Sequence, residues 1–255
     1  MTEKNPKDIQ PASNPHHLYE TVKTVLIAAV FALTIRSVAF EPFSIPSGSM
    51  VPTLLVGDYL FVSKYAYGYS RFSFPLGIAP IEGRIKGKEP ERGDVIVFRK
   101  PTNVSIDFIK RLIGMPGDKI QMKNGRLYIN DKMVEREYLG DTETYLSDGS
   151  LAMHRRYRET LPNGRSHLII ERRDNGPLDN TPPYIVPEGH YFMMGDNRDG
   201  SQDSRVLHDV GYVPFENLVG RATYLFFSVE QGEQAWEFWR WPWSVRFKRL
   251  FSAIE

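Results

Sequence analysis

A serine hydroxyl attacks a carbonyl only when a neighbouring base takes its proton, and one stretch of this sequence crowds hydroxyls together. Residues Glu41 to Leu54 read E-P-F-S-I-P-S-G-S-M-V-P-T-L, with Ser44, Ser47 and Ser49 set among Pro42, Pro46 and Pro52. Proline fixes φ, removes a backbone donor and biases the residue before it toward extended geometry, so the stretch reads as stiff and open. Gly48 lets another backbone approach where a side chain would block it. Taken alone, the same composition also describes a proline-rich linker.

The base must come from elsewhere. The sequence contains no Gly-x-Ser-x-Gly elbow, no Ser-x-x-Lys pair and no His-Glu-x-x-His metal motif. Histidine is one option, with His190 and His208 near Asp196, Asp199, Asp203 and Asp209. Lysine is the other, because an amine moved into apolar surroundings loses the hydration of its charged form and can be neutral near pH 7. Lys110 fits, lying in Phe108-Ile-Lys-Arg-Leu-Ile113. Strand alternation sends Phe108, Lys110 and Leu112 to one face and Ile109, Arg111 and Ile113 to the other. A strand lysine that snorkels to solvent is the ordinary alternative.

Composition removes other chemistries. Cysteine is absent, which excludes thiol nucleophiles, cysteine-ligated zinc and disulfides. The 32 basic and 31 acidic residues leave a net charge of +1, too little to favour a nucleic-acid partner.

The elements that would position these residues are mostly strands. Asp58–Ser63, Asp94–Phe98, Asp107–Ile113 and Ala222–Val229 are short runs rich in β-branched and aromatic residues. Asn124-Gly125 separates two more and supplies the positive-φ pair of a type I′ hairpin. The core is expected over residues 41–130 and 186–230. Residues 131–185 are highly charged, contain one clear strand at His167–Glu171 and read as an inserted lobe.

Both ends of the chain point to a membrane. Residues 1–17 are polar and expected to form a disordered cytoplasmic tail, and residues 18–40 an apolar anchor, with Lys23 and Arg36 snorkelling. A removable secretory signal is the rival reading, since Ser37-Val38-Ala39 is a small-x-small site. The same site raises self-cleavage after Ala39. Lys4, Lys7 and Lys23 against Arg36 slightly favour an inside N-terminus. At the other end, residues 231–255 hold all four tryptophans among Arg240, Arg246, Lys248 and Arg249. Such a composition suits a lipid headgroup layer, an aromatic tail packed on the domain or, less well, single-stranded nucleic acid.

Five stretches, taken in order, carry a resemblance: P-S-G-S-M-V-P-T-L (46–54), G-D-Y-L (57–60), R-G-D-V-I-V-F (92–98), F-I-K-R-L-I-G-M-P-G-D (108–118) and G-D-N-R-D-G-S-Q-D-S-R (195–205). Together they resemble bacterial type I signal peptidase, a family of membrane enzymes that remove signal peptides from exported proteins, from the anchor to about Gly220. The resemblance implies Ser49 as nucleophile, Lys110 as general base, Ser47 as oxyanion donor beside the Ser49 N–H, and Ser201 as the residue that orients the lysine amine. It also implies an Asp203–Arg205 ion pair supporting the loop, with Asp196 and Arg198 in the same motif. Phe43, Ile45, Pro46, Met50, Leu54 and Ile109 would line a substrate cleft with shallow apolar pockets. Gly200 stands where the family usually has Asn, which leaves Ser201 in register and bears only on loop stiffness.

The implied fold is mainly β: one transmembrane helix, then an antiparallel catalytic sheet of signal-peptidase or repressor-protease type with an inserted β-rich lobe. No metal or organic cofactor is implied. The implied partners are exported preproteins, the phospholipid bilayer and the secretion translocon, at the bacterial inner membrane with the catalytic domain on the outer side. Three rivals stay open: a Ser-His-Asp membrane protease built on Ser49 and His208, a tethered scaffold that binds polypeptides without cutting them, and, last, a self-cleaving repressor core.

Overall fold

The computed structural model describes residues 15–74, 77, 79–145, 149–233 and 236–254, with side chains from Leu18 onward. The expected disordered tail, including Lys4 and Lys7, lies outside the described residues over 1–14.

The chain enters through helix α1 (Pro15–Val38). Its stretch Leu18–Val38 has a mean hydropathy of 1.7, with its side chains facing outward rather than into the protein, and is long and apolar enough to cross a membrane. The 21 residues reach about 32 Å at the helical rise. The helix ends at Val38, two residues short of the segment expected to form the anchor. Phe40 already pairs with Ser63 in a sheet, and the Ala39 carbonyl accepts the Lys64 N–H at 3.0 Å.

Fourteen strands follow among the described residues: β1 (Phe40–Ser44), β2 (Asp58–Ser63), β3 (Val95–Lys100), β4 (Asn103–Gly114), β5 (Lys119–Lys123), β6 (Arg126–Ile129), β7 (Lys132–Met133), β8 (Glu135–Tyr145), β9 (Leu151–Thr160), β10 (Ser166–Glu171), β11 (Tyr184–Ile185), β12 (His190–Met194), β13 (Val213–Pro214) and β14 (Leu218–Ser228). All pairings between them are antiparallel. The fold is therefore mainly β.

The largest sheet has the order β1-β2-β14-β3-β4-β12-β13. Strand β3 shows why it is covered on both faces. Val95 and Val97 enter a core with Ile45, Met50, Leu54, Leu60 and Val62, while Ile96 and Phe98 enter another with Leu112, Tyr191, Met193 and Val213. Alternate residues of a strand point to opposite faces, so four consecutive apolar residues serve two cores. Phe43 on β1 and Ile109 on β4 pack on the same core although three strands separate β1 from β4 in the sheet. That core runs under one face of the sheet from β1 to β4.

The Asn124-Gly125 turn carries φ of +48° and +70° and joins β5 to β6, the type I′ geometry its residues favour. These strands form a separate sheet of order β11-β5-β6-β7. Two of its strands precede residue 131 and two lie within 131–185.

The charged region holds more strands than the one that its sequence pattern makes clear. Besides β10, it contains β7, β8, β9 and β11, with β10-β9-β8 as a three-stranded sheet. Strands β8 and β9 carry few apolar residues, so periodicity does not reveal them. They are joined instead by cross-strand side-chain pairs, among them Arg158 to Glu137 at 2.8 Å and Tyr138 against Tyr157 at 5.6 Å.

The C-terminal segment folds back on the largest sheet through bridges Val229 to Val245 and Tyr224 to Ala253. Arg249 grips the buried Asp58 carboxylate with Nε at 3.1 Å and Nη2 at 2.5 Å, and Arg246 lies 3.6 Å from it. Two of the four basic residues expected at a lipid surface thus face inward. Trp236, Phe238, Trp239 and Trp243 remain exposed.

Candidate active site

The serine stretch bends where its prolines suggested continued extension. Ser47 is extended at φ −130° and ψ 152°, but Gly48–Met50 form a single 3₁₀ turn closed by the Val51 N–H on the Gly48 carbonyl at 3.2 Å. The turn buries Ser49 and Met50 together. Neighbouring strand residues face opposite sides and would leave one of the two outside.

Strand β4 brings Lys110 to this turn. Its amine donates to Ser49 Oγ at 2.7 Å and to the Ile109 carbonyl at 2.9 Å, and lies 5.1 Å from the Phe108 ring centroid. Lys110 is only 4% exposed. Burial pulls its pKa from the ordinary lysine value down to about 8, partly opposed by the charges of Asp203 and Asp196. The alternative of a snorkelling lysine is excluded by that burial. Ser47 Oγ lies 3.5 Å from Ser49 Oγ.

The expected cleft residues divide by exposure. Ile45, Met50 and Leu54 are buried in one core, Phe43 and Ile109 are half-buried against it, and Pro46 is exposed.

Loop residues 195–205 close the other side. Gly195 approaches so closely that an added Cβ would sit 2.2 Å from Ser201 Oγ and 2.6 Å from the Ser49 carbonyl oxygen. Ser201 departs from expectation. It is buried, but Lys110 is not its partner, and its Oγ makes no hydrogen bond of ordinary geometry. It lies close enough to Asp203 to help hold that carboxyl low. Asp203 and Arg205 pair at 2.8 Å, both buried. Burial alone would raise the Asp203 carboxyl, and Arg205 holds it below the usual range. Asp196 and Arg198 do not pair with each other. Asp196 takes Arg111 at 2.9 and 2.8 Å and the Thr53 hydroxyl at 2.5 Å, while Arg198 pairs with Glu159 on β9.

Several residues around the site were not singled out from sequence. Arg111 belongs to an otherwise apolar strand face, and a charge there was the available signal that a buried partner waits. Thr53, Asn197, Glu159 and His167 gave no such signal. His167 is buried between Glu159, at 3.5 Å, and Asp196, at 3.9 Å. Burial lowers its pKa to about 4, so it is neutral near pH 7.

Among the described side chains, no histidine reaches the serine. The hydroxyl of Ser49 meets Ser47 and Lys110, His208 is exposed, and the neighbouring Asp209 pairs with Lys100. His190 Nδ1 faces the Glu188 carbonyl at 2.9 Å. Among the described residues, no group of three or more His, Asp or Glu side chains is placed to hold a metal ion.

Comparison with known proteins decides the family. Its profile, "Signal peptidase, peptidase S26", matches residues 18–227. This chain belongs to the signal peptidase, peptidase S26 family. Signal peptidase I of Rickettsia typhi is 45% identical over 223 residues, 83% of this chain and 82% of that protein. Signal peptidase I of Rickettsia akari is 44% identical over 240 residues, 88% of each. A crystal structure of a signal peptidase I from Enterococcus faecalis is 28% identical and covers 52% of this chain and 97% of that one, with a TM-score of 0.31, too low to compare folds. Members of this family are serine proteases, and the N-terminal apolar helix is consistent with membrane anchoring.

Proposed function

We propose that this signal peptidase cuts preproteins after a small-x-small site by attack of Ser49, with Lys110 as general base. The observation that carries the reading is the 2.7 Å contact between a buried amine and the hydroxyl of a tight turn. Such a contact is the nucleophile-and-base arrangement of acyl-transfer catalysis.

In the proposed reaction, neutral Lys110 takes the Ser49 proton as Oγ attacks the scissile carbonyl. The developing oxyanion is met by the Ser47 hydroxyl and the Ser49 backbone N–H, donors placed where charge appears. The lysine ammonium then protonates the leaving amine of the mature protein. Water, deprotonated in turn by Lys110, releases the signal peptide from Ser49. Ser201 supports this site through Asp203 and the loop instead of through the amine.

The signal peptide lies in an extended form along the sheet near β1 and β4, hydrogen-bonding as an added strand. Pro46, Phe43 and Ile109 supply its apolar contact surface, backed by Ile45, Met50 and Leu54. Shallow pockets there accept alanine and reject larger side chains.

Helix α1 anchors the enzyme in the bacterial inner membrane, with the sheets on the outer side and the translocon within reach of the emerging cleavage site. Residues 41–130 and 186–230 form the catalytic core, and 131–185 form the inserted lobe. The exposed tryptophans of 231–255 rest at the headgroup layer, where an indole has one apolar and one wet side. The test is cleavage of a preprotein by the full-length protein in detergent. Wild type releases mature protein and Ser49→Ala does not; processing by Ser49→Ala defeats the assignment.

A further inference from the structure

Resting on the Ser49–Lys110 reading above, we propose that Asn197 is a positioning residue for the nucleophile. It fixes the Ser49 turn from below, and Gly200 supplies the space that lets it do so. The Asn197 backbone N–H donates to the Ser49 carbonyl at 3.1 Å, and its side-chain amide nitrogen donates to the Gly48 carbonyl at 3.1 Å. One residue thus holds two consecutive carbonyls of the turn that carries the attacking hydroxyl. The amide has one usable orientation, because its oxygen accepts the Gly200 N–H at 3.0 Å while its nitrogen faces a carbonyl.

Asn197 is itself held by the lobe. It forms a parallel bridge with Ile170 of β10, flanked by the Ile170 N–H on the Asp196 carbonyl at 2.9 Å and the Arg198 N–H on the Ile170 carbonyl at 3.0 Å. Next to it, the buried Arg198 guanidinium is fixed by Glu159 of β9. Position 200 completes the arrangement. A Cβ added to Gly200 would lie 2.5 Å from Asn197 Nδ2, 2.7 Å from Cγ and 2.8 Å from Oδ1. A side chain at 200 therefore forces the Asn197 amide to shift from its present position, which loosens its hold on Gly48. Gly200 sets more than loop stiffness.

The turn closes on the Gly48 carbonyl through Val51, so releasing that carbonyl frees the direction of Ser49 Oγ. Misplacing a reacting group by about 1 Å costs on the order of 10²-fold in rate. The Asn197 side chain bonds to the turn and to Gly200 and not to Lys110, so on this proposal its loss changes the chemical step more than substrate binding.

The experiment measures kcat and KM for a signal-peptide substrate in the full-length enzyme, with wild type, N197A, G200A and the double variant N197A/G200A, and thermal unfolding alongside. N197A is expected to lower kcat by about 10- to 100-fold with KM within twofold, and G200A to lower it less. Because the three atoms nearest to a Cβ at 200 all belong to the Asn197 amide, the double variant should be no slower than N197A. A merely structural role gives losses that multiply and that follow the fall in melting temperature. Multiplying losses, an unchanged kcat in N197A, or a changed KM with kcat intact would each overturn the proposal. S49A runs in parallel: an active S49A defeats the serine reading itself, whereas an inactive S49A beside a normal N197A defeats only the role of Asn197.

Discussion

Lys110 Nζ stands 2.7 Å from Ser49 Oγ across 61 residues of chain, with the amine buried and its pKa drawn down to about 8. A base at this distance serves the hydroxyl directly. Replacing Lys110 by Met keeps much of its volume and removes the amine. K110M should lower kcat/KM for a preprotein by on the order of 10²- to 10⁴-fold, with secondary structure by circular dichroism unchanged. Near-wild-type cleavage by K110M would falsify the assignment of the base.

The same amine sets a pH dependence. Only neutral Lys110 takes a proton, and its pKa near 8 leaves a falling neutral fraction as the medium becomes more acidic. Log kcat/KM should therefore rise with a slope near one and level off at about pH 8, reporting the free enzyme. A profile that levels near 6.5 would point to histidine instead.

His208 is exposed and lies away from the serine's hydrogen bonds. H208A is expected to keep at least about half of wild-type activity, since surface substitutions away from special features change little. Loss of cleavage in H208A together with activity in K110A would restore the Ser-His-Asp alternative.

Asp203 and Arg205 are both buried, and Arg205 Nε and Nη2 reach the two carboxylate oxygens at 2.8 and 2.9 Å. Removing one partner leaves a buried charge without compensation. D203A should cost about 3–5 kcal/mol in urea unfolding. The Asp203 pKa lies below its ordinary value. Its contribution is therefore present above the unfolded-state pKa and is lost as pH falls through the folded one. A change below about 1 kcal/mol, the scale of an exposed pair, would show that the site relaxes to admit water.

The small-x-small site at Ser37-Val38-Ala39 sits at the junction of helix and sheet. The Val38 carbonyl accepts the Tyr69 hydroxyl at 2.7 Å and the Ala39 carbonyl accepts the Lys64 N–H at 3.0 Å. Glu41 ties the junction down, pairing with Arg36 at 2.7 Å and with Lys64 at 2.8 Å. To enter a cleft as an extended segment, this stretch must leave those partners. Wild type should keep its native N-terminus during prolonged incubation, while Glu41→Ala should slowly yield a fragment beginning at Phe40. N-terminal sequencing reads both, and early clipping of the wild type would show that the junction does not protect itself.

Much of the architecture was legible wherever a local rule acts alone. The Asn124-Gly125 hairpin follows from two residues that tolerate positive φ, strand β2 from a β-branched and aromatic run, and α1 from an apolar stretch of spanning length. Strands β8 and β9 were not legible, because pairing between charged side chains replaces apolar periodicity there. The helix end was not legible for a similar reason: Phe40 is apolar enough for a helix, yet its pairing with Ser63 of β2 puts it in a strand.

Ser49 and Lys110 were marked by residue type, order and resemblance. Those signals name the parts without their partners. The sequence by itself determined that cysteine chemistry was closed to this protein, that one helix could reach across a bilayer, and that serine and lysine were the groups worth bringing together. Only the tertiary structure decided that Lys110 loses its water while Arg111 beside it keeps a carboxylate, that Ser201 Oγ makes no hydrogen bond to the amine, and that Asn197 bonds two carbonyls of the turn. Each of these depends on which atoms burial places within about 3 Å of one another, a quantity that strand pairing and loop closure fix and that spacing along a chain does not contain.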